Sequence, residues 1–436
     1  MTDATKKSRY QQCLTEMYGL RRFGIVLGLD IISGMLENLG NPQKQFCCIH
    51  IAGTNGKGSI ASALTAILHQ AGYNVGLYTS PHLVRFNERI RINDREIADS
   101  EVVAAYDAVK TAHHGTREAT FFEYATAMAF YAFAKAGVDW AVIETGMGGR
   151  LDATNIIRPE ISIISNISME HREYLGRSIE AIAGEKAGII KENTPVVTGA
   201  RQRAAISRIR RVAGEKNAAF YRLGEHFRVR RDTGGDGFAY YGISHRWKKM
   251  HTRLTGSYQV DNAAQVLAAC EILMEQTAID STAIEAGLKS HNWPGRLEMS
   301  PTNPPILLDG AHNLMAARHL AAFLKEQMSE RKITLVAAIL DDKPYRSMLR
   351  AILPCCSRAI FTRPKINRSL PAQTLCSAAR PYIANTEIIA DVAEAVSHAY
   401  ETTPREDLIC IAGSLYLVGE AKQALAAENR QTDFSP

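Results

Sequence analysis

Short apolar runs and helix-spaced apolar stripes alternate along most of this chain. The run Cys47–Ala52 breaks into the polar, glycine-rich GTNGKGS, after which Ile60, Ala63, Leu64, Ile67, Leu68 and Ala71 fall on one helical face. A strand, a tight turn and a helix are therefore predicted over 47–71. Further strands are predicted at Tyr73–Tyr78, Asp139–Glu144 and Ile161–Ser165, with helices at Glu101–Ala112 and Phe121–Ala136. Ahead of them, Tyr10–Leu39 reads as two helices separated by a break at Gly24 and Gly28. Asp30 is placed to cap the second, whose buried stripe is Ile31, Ile32, Met35 and Leu36. Residues 82–97 (HLVRFNERIRINDREI) read as an extended, charged, mobile loop with a hairpin.

The pattern turns β-like over Phe227–Leu254, with a hairpin at Gly234, Gly235 and Gly237, and then gives a helix at Tyr258–Met274 and a turn at Trp293–Arg296. Proline and asparagine interrupt it at 301–305. Beyond that point it restarts, with strands at Ile306–Leu308, Ile333–Ile339, Arg358–Phe361 and Asp407–Ala412, and helices from Asn313, from Tyr345, over Pro371–Ala379 and at the end. Alternation of this kind implies parallel sheets flanked by helices. A chain of 436 residues exceeds one ordinary core, and two α/β domains are expected, residues 1–297 and a smaller one at 298–436.

The turn at Gly53, Thr54, Asn55, Gly56, Lys57, Gly58 and Ser59 sits where a strand runs into a helix. Backbone N–H groups and the positive end of a helix dipole converge there, which suits a polyphosphate, and Lys57 adds a charge for the outer phosphates. The spacing departs from the general phosphate-loop pattern, since only two residues separate Gly53 from Gly56 and Gly58 precedes Ser59. A turn rich in glycine for steric reasons alone is the competing reading. Three other predicted strands end in polar residues, at Ser80, Glu144 and Asn166/His171. In a parallel sheet such ends share one edge with the turn, where open α/β sheets bind ligands. Oxygen ligands beside a nucleotide suggest magnesium, for which a lone histidine is an unusual partner.

Composition narrows the class. Hydrophobic content of 46% and charged content of 22% are those of a globular protein. The net charge of +6 is modest, and the clusters Arg208/Arg210/Arg211 and Arg228/Arg230/Arg231 read as solvated faces first and anion-attracting surface second. No arginine-and-aromatic groove pattern appears in the sequence order, so no nucleic-acid partner is expected. No apolar run reaches the length of a membrane span, and the eight cysteines form no CxxC unit. Buried reduced thiols and a cytoplasmic location are the expectation.

The segments HIAGTNGKGS, YTSPHLVRFNERIRIN, ETGMGGRLDATN, EHREYLGRSIEAIAGEKAGIIK, WPGRLE, DGAHN and GSLYLVGE follow one another over nearly the whole chain. In this order they resemble the folylpolyglutamate synthase and dihydrofolate synthase family of Mur-type amide ligases, in its bacterial bifunctional form. The resemblance implies a phosphate-loop ATPase domain followed by a Rossmann-like one. It implies transfer of phosphate from ATP to a folate or dihydropteroate carboxylate, then capture of the acyl phosphate by L-glutamate. A folylpolyglutamate synthase alone, or another Mur-type ligase, is the alternative.

By position, Ser80 and Glu144 are expected to hold one magnesium, Glu144 and His171 a second, with a monovalent cation also implied. Lys186 matches the lysine that is carbamylated in the family. Asn262, Arg296, Asp309 and His312 match positions that contact ATP from the far side of the domain boundary. Val26, Leu27, Gly28 and Leu29, then Thr120, Phe121, Phe122 and Glu123, then Leu151, Asp152 and Ala153 match the pterin site. Glu170 stands where the family commonly has Asp, and Val26 where some bifunctional members carry Asp, a departure that bears on dihydropteroate use. The family is typically monomeric.

Overall fold

The computed structural model describes residues 8–20, 24, 26–115, 117–232 and 237–432. They form two compact units, the first made of the residues up to Arg253 with Gln259–Asn292, the second of Leu254–Tyr258 with Trp293 onward. The turn Trp293–Arg296, assigned by sequence to the end of the first domain, thus belongs to the second unit.

The first unit is built on eight strands: β1 (Cys47–Ala52), β2 (Val75–Tyr78), β3 (Ile90–Ile92), β4 (Arg95–Glu96), β5 (Trp140–Glu144), β6 (Ile161–Ile164), β7 (Val196–Thr198) and β8 (Phe220–Arg222). Their order is β4-β3-β2-β5-β1-β6-β7-β8, with β3 antiparallel to both β2 and β4 and the other pairings parallel. The chain leaves β1 toward β2 on one side, while β6 to β8 fill the other. The end of β1 is therefore the point at which the winding reverses, where such sheets bind ligands.

Helices α1 (Arg9–Gly19), α2 (Asp30–Asn38), α3 (Lys57–Gln70), α4 (Asp99–Ala112), α5 (Phe121–Lys135), α6 (Arg172–Leu175), α7 (Ile179–Ala187), α8 (Arg203–Glu215), α9 (Ser257–Leu273) and α10 (Ser281–Ser290) accompany this sheet. α5 is apolar almost all round, and accordingly it is buried along most of its length. Its Phe133 ring lies so close to β2 that a Cβ on Gly76 would approach it to 2.7 Å. α8 is one-sided instead, burying Ala205, Ile209 and Ala213 at helical spacing. A separate three-stranded antiparallel sheet, β9 (Arg228–Arg231), β10 (Phe238–Tyr241) and β11 (Arg246–Met250), fills the β-like stretch. Gly234 and Gly235 of its expected hairpin lie outside the described residues.

The second unit carries β12 (Glu298–Ser300), β13 (Ile306–Asp309), β14 (Ile333–Ala337), β15 (Arg358–Phe361), β16 (Thr386–Ile388) and β17 (Leu408–Ala412) in the order β12-β13-β17-β14-β15-β16, with only β12 antiparallel. Its helices are α11 (Leu314–Gln327), α12 (Tyr345–Ile352), α13 (Ala372–Ala379), α14 (Val392–Thr402) and α15 (Leu415–Thr432). Among the described residues no helix is long and apolar enough to cross a membrane.

Two local expectations are corrected. Asp30 does not cap α2: Leu29 holds the cap position, no side chain caps the helix, and the Asp30 carboxylate lies 3.8 Å from Arg117 instead. Residues 82–97 are not a free loop, because β3 pairs with β2 and Phe86, Asn87, Arg89 and Ile90 are buried. The apolar residues among the charges pull the hairpin onto the edge of the main sheet. Phe133 is fully buried against β2. Phe133→Ala is expected to destabilise the first unit by about 3–5 kcal/mol in urea denaturation. A loss below about 1 kcal/mol would show that α5 does not depend on that contact.

Candidate active site

The glycines of the turn after β1 are required by what packs on them. Gly53 has φ +146°, and a Cβ there would lie 1.8 Å from Ser165 Oγ. Gly56 has φ +87°, and its Cβ would meet Asn262 Oδ1 at 2.6 Å. The end of β6 clamps the turn between them. The Thr54 amide donates to Asn166 O (2.8 Å) and the Asn55 amide to Asn166 Oδ1 (3.1 Å). Ser165 Oγ and Asn166 Nδ2 in turn donate to Asn55 O at 2.6 and 2.9 Å.

The amides of Thr54 and Asn55 are thus bonded within the protein. The first helical backbone bond of α3 is made by Ile60 to Gly56 O at 2.9 Å, so the amides of Lys57, Gly58 and Ser59 before it are the donors placed to meet an anion. The Ser59 hydroxyl is buried under α9 and accepts from Gln259 Nε2 at 3.4 Å. Asn262 donates through Nδ2 to Gln259 Oε1 at 2.8 Å. Asn262 therefore belongs to the first unit, against Gly56, and not across the boundary as the family resemblance implied. Only five residues, Leu254–Tyr258, belong to the second unit before the chain returns to the first at Gln259, within α9.

Charge gathers around the Gly53 carbonyl. Lys57 Nζ folds back to donate to Gly53 O (3.1 Å) and Thr54 O (3.5 Å), and lies 3.8 Å from Glu144 Oε1. Glu144, at the end of β5, is buried and accepts from the Ser80 amide at 3.3 Å. Lys186, on α7, is 2% exposed; its Nζ donates to the same Gly53 O at 2.9 Å and pairs with Glu170 at 2.6 Å. Burial lowers the Lys186 pKa, and the Lys57 charge adds to this against the opposing effect of Glu170. Burial alone would raise the Glu170 carboxyl, but the charges of Lys186 and Lys57 outweigh it and bring it down to about 2. His171 follows directly at φ +41°, opening α6, and its charge acts on Glu170 in the same sense.

The loop after β5 connects Glu144 to α7. Asp152 is buried and accepts from the amides of Met147 (2.8 Å) and Thr154 (3.1 Å) and from Thr154 Oγ1 (2.5 Å). The Arg150 amide donates to Glu185 O at 2.8 Å, and a Cβ on Gly149 would strike that carbonyl. Asp152 accordingly braces this loop, with Leu151 and Ala153 on either side of it. Thr120 and Glu123 form a reciprocal cap at the start of α5, and Arg117 grips the Glu123 carboxylate through both nitrogens at 2.8 and 3.0 Å. Their polar atoms are engaged with one another.

Phe121 stacks on Tyr18 (5.7 Å), meets Phe86 edge-on (6.2 Å) and lies under the Arg89 guanidinium (5.1 Å). Phe122 packs near Tyr78, beside Gly146. Val26 and Leu27 are exposed at 41% and 38%, with Gly28 and Leu29 leading from them into α2. In the second unit, Asp309 ends β13 and accepts from the amides of Leu297 and Ala311, both at 2.9 Å. Burial raises its pKa, opposed by the Arg296 charge. His312 Nδ1 lies 2.8 Å from Gly310 O. Asn313 caps α11, its Oδ1 accepting from the Ala316 amide.

A buried carboxylate and a serine at adjacent strand ends are hard oxygen donors, a set that fits magnesium. Among the described residues no group of three or more His, Cys, Asp or Glu gathers to hold a metal by itself. Magnesium bound with nucleotide draws part of its shell from phosphates and water, so two protein donors suit it.

A glycine turn at the reversal point of one α/β sheet, a carboxylate facing its lysine, and a second α/β unit are the features of a Mur-type ATP-dependent ligase. The Mur ligase middle domain matches residues 51–270, and the Mur ligase glutamate ligase domain matches residues 295–415. The dihydrofolate synthase/folylpolyglutamate synthase of Bacillus subtilis is 34% identical over 427 residues, covering 95% of this chain and 99% of that protein. Escherichia coli FolC in complex with DHPP and ADP superposes with a TM-score of 0.89 at 29% identity, covering 98% of this chain and all of that one. A Yersinia pestis bifunctional folylpolyglutamate synthase/dihydrofolate synthase complexed with AMPPNP and Mn gives a TM-score of 0.87 at 29% identity and the same coverage. The chain belongs to the dihydrofolate synthase/folylpolyglutamate synthase family.

The Glu170 carboxyl lies below its ordinary value of 4.5. Its contribution to stability is therefore complete above about pH 4.5 and is lost as pH falls toward 2. Glu170→Gln is expected to flatten this acid limb in urea melts between pH 5 and about pH 3, relative to wild type. Identical acid limbs would place the charge of Lys186 on another partner.

Proposed function

We propose that this chain uses the site at the ends of β1, β2 and β5 to join L-glutamate to the free carboxylate of a folate or of dihydropteroate, with ATP as the activating substrate. The observation that carries this is Lys57, held over the turn by the Gly53 carbonyl and 3.8 Å from the buried Glu144, beside Ser80. In the activation step an acceptor carboxylate oxygen bonds to the γ-phosphorus, and the bond from that phosphorus to ADP breaks. The glutamate amine then bonds to the acyl carbon, phosphate leaves with the C–O bonding pair, and the amine gives up a proton, leaving an amide.

Bringing two anions together is the main barrier, so fixed positive charge at the transferring phosphoryl is the main demand on the protein. Lys57 and the first-turn amides of α3 supply it. Glu144 and Ser80, with Glu144 and His171 for a second site, are the residues that would hold divalent metal, which when bound neutralises phosphate charge. A monovalent cation accompanies them in this reading, and the Val26–Leu29 segment, exposed at Val26 and Leu27, together with the Phe122 region forms the side that receives the pterin. Asn262, Arg296, Asp309 and His312 are assigned to nucleotide.

Lys186 pairs with Glu170 as an unmodified ammonium. Carbamylation there would set two anions side by side, so we tie that modification to the metal-loaded enzyme. The eight cysteines are free thiols, the form a reducing cytoplasm maintains, and we take the working unit to be a monomer.

Release of ADP that requires both L-glutamate and an acceptor tests this reading, with tetrahydrofolate and dihydropteroate supplied separately. Lys57→Ala and Glu144→Ala are expected to lower the rate by at least a hundredfold, given what single charge-stabilising groups contribute in such sites, while leaving the circular dichroism spectrum unchanged. Normal turnover in either variant would remove it from the site.

A further inference from the structure

The three-stranded sheet β9–β11 has one buried face and one wet one, and the wet face is strongly basic. Phe238 and Tyr240 of the central strand are fully buried, so their neighbours Ala239 and Tyr241 point the other way. Residues paired across antiparallel strands share a face. Arg230 pairs with Ala239, while Arg228 and Arg246 flank Tyr241 from either side. All three arginines are exposed, and the Arg228 guanidinium sits 5.2 Å from the centre of the Tyr241 ring.

β11 adds to this face through an irregularity. Met250 pairs with Phe238 and Trp247 with Tyr240, so Lys248 and Lys249 together oppose the single residue Ala239. This is a bulge, which re-aims side chains. Lys249 takes it at φ +57°, a conformation usually left to glycine or asparagine. Elsewhere on the unit basic side chains are neutralised, as in Arg210–Glu225, Arg201–Asp261 and Lys216–Glu192. Among the described residues, Arg228, Arg230, Arg246, Lys248 and Lys249 form no ion pair. Like charges set on both sides of Tyr241 cost stability, and nothing in the fold's own packing requires them.

We propose that this face binds single-stranded nucleic acid, the basic side chains tracking phosphates and Tyr241 offering its ring to a base. Positive charge along a strand with an aromatic ring at its centre is the combination that sequence-tolerant single-strand binding uses. An acidic polypeptide would satisfy the charge but has no use for the ring. The sequence pointed away from nucleic acid because the basic residues of β9 and β11 lie more than a dozen positions apart in the chain and meet only through the β10 ladder.

Fluorescence polarisation of a labelled twelve-nucleotide single-stranded RNA, titrated with the full chain, tests the assignment. Saturable binding at 50 mM salt is expected, weakening roughly a hundredfold at 200 mM if about five phosphates are contacted. The double variant Arg230→Glu/Lys248→Glu is expected to abolish binding while ADP release and circular dichroism stay at wild-type levels. Tyr241→Ala is expected to weaken RNA binding about tenfold without changing the salt slope. Polyglutamate of equal charge is expected to compete poorly. Absence of saturable binding, retention of binding by the double variant, or equal affinity for polyglutamate with no effect of Tyr241→Ala would each overturn the proposal, the last by making the face a site for acidic protein.

Discussion

Two ammonium groups share one carbonyl oxygen, and much of the first unit is arranged to permit it. Gly53 O accepts from Lys57 of α3 and from Lys186 of α7. Like charges so close are tolerated only where carboxylates balance them, and here Glu144 stands beside one lysine and Glu170 beside the other. Each balancing group comes from a different strand end or loop. Fixing this cluster therefore fixes the relative positions of β1, β5, β6, α3 and α7. Buried ion pairs are weak evidence for stability. In the proposed reaction their use lies in holding positive charge ready where a nucleotide's phosphates would bring negative charge.

Much of the fold was legible in the alternation of apolar runs. β1, β15 and the start of α5 lie where periodicity placed them. The region 172–222 was not resolved into elements by that reading, although it holds α6 to α8 and the strands β7 and β8. These strands are three residues long, too short to display a period. β12, β16 and α14 were likewise unforeseen, β12 and β16 for the same reason.

At the site, the sequence supplied the turn, the three strand ends and Lys186, each marked by a residue type foreign to an apolar strand or by the family motif. It did not reveal Ser165 or Gln259, whose only signal is a polar residue where two elements meet the turn. Nor did it distinguish side chains that face a ligand from those that hold the scaffold. Thr120, Glu123 and Asp152 match pterin-site positions, yet their oxygens are engaged in a helix cap and a loop brace. Hydrogen-bond partners decide that distinction, and they are a property of the folded chain.

The shared carbonyl is tested most directly by a double-mutant cycle on ADP affinity, with Lys57→Met, Lys186→Met and the pair measured by isothermal titration in magnesium. If the two lysines act through Gly53 as one unit, their effects are expected to be non-additive by more than about 1 kcal/mol. Additive losses, within about 0.3–0.5 kcal/mol, would mean that the two charges serve the nucleotide independently, and the cluster around Gly53 would not be what organises the site.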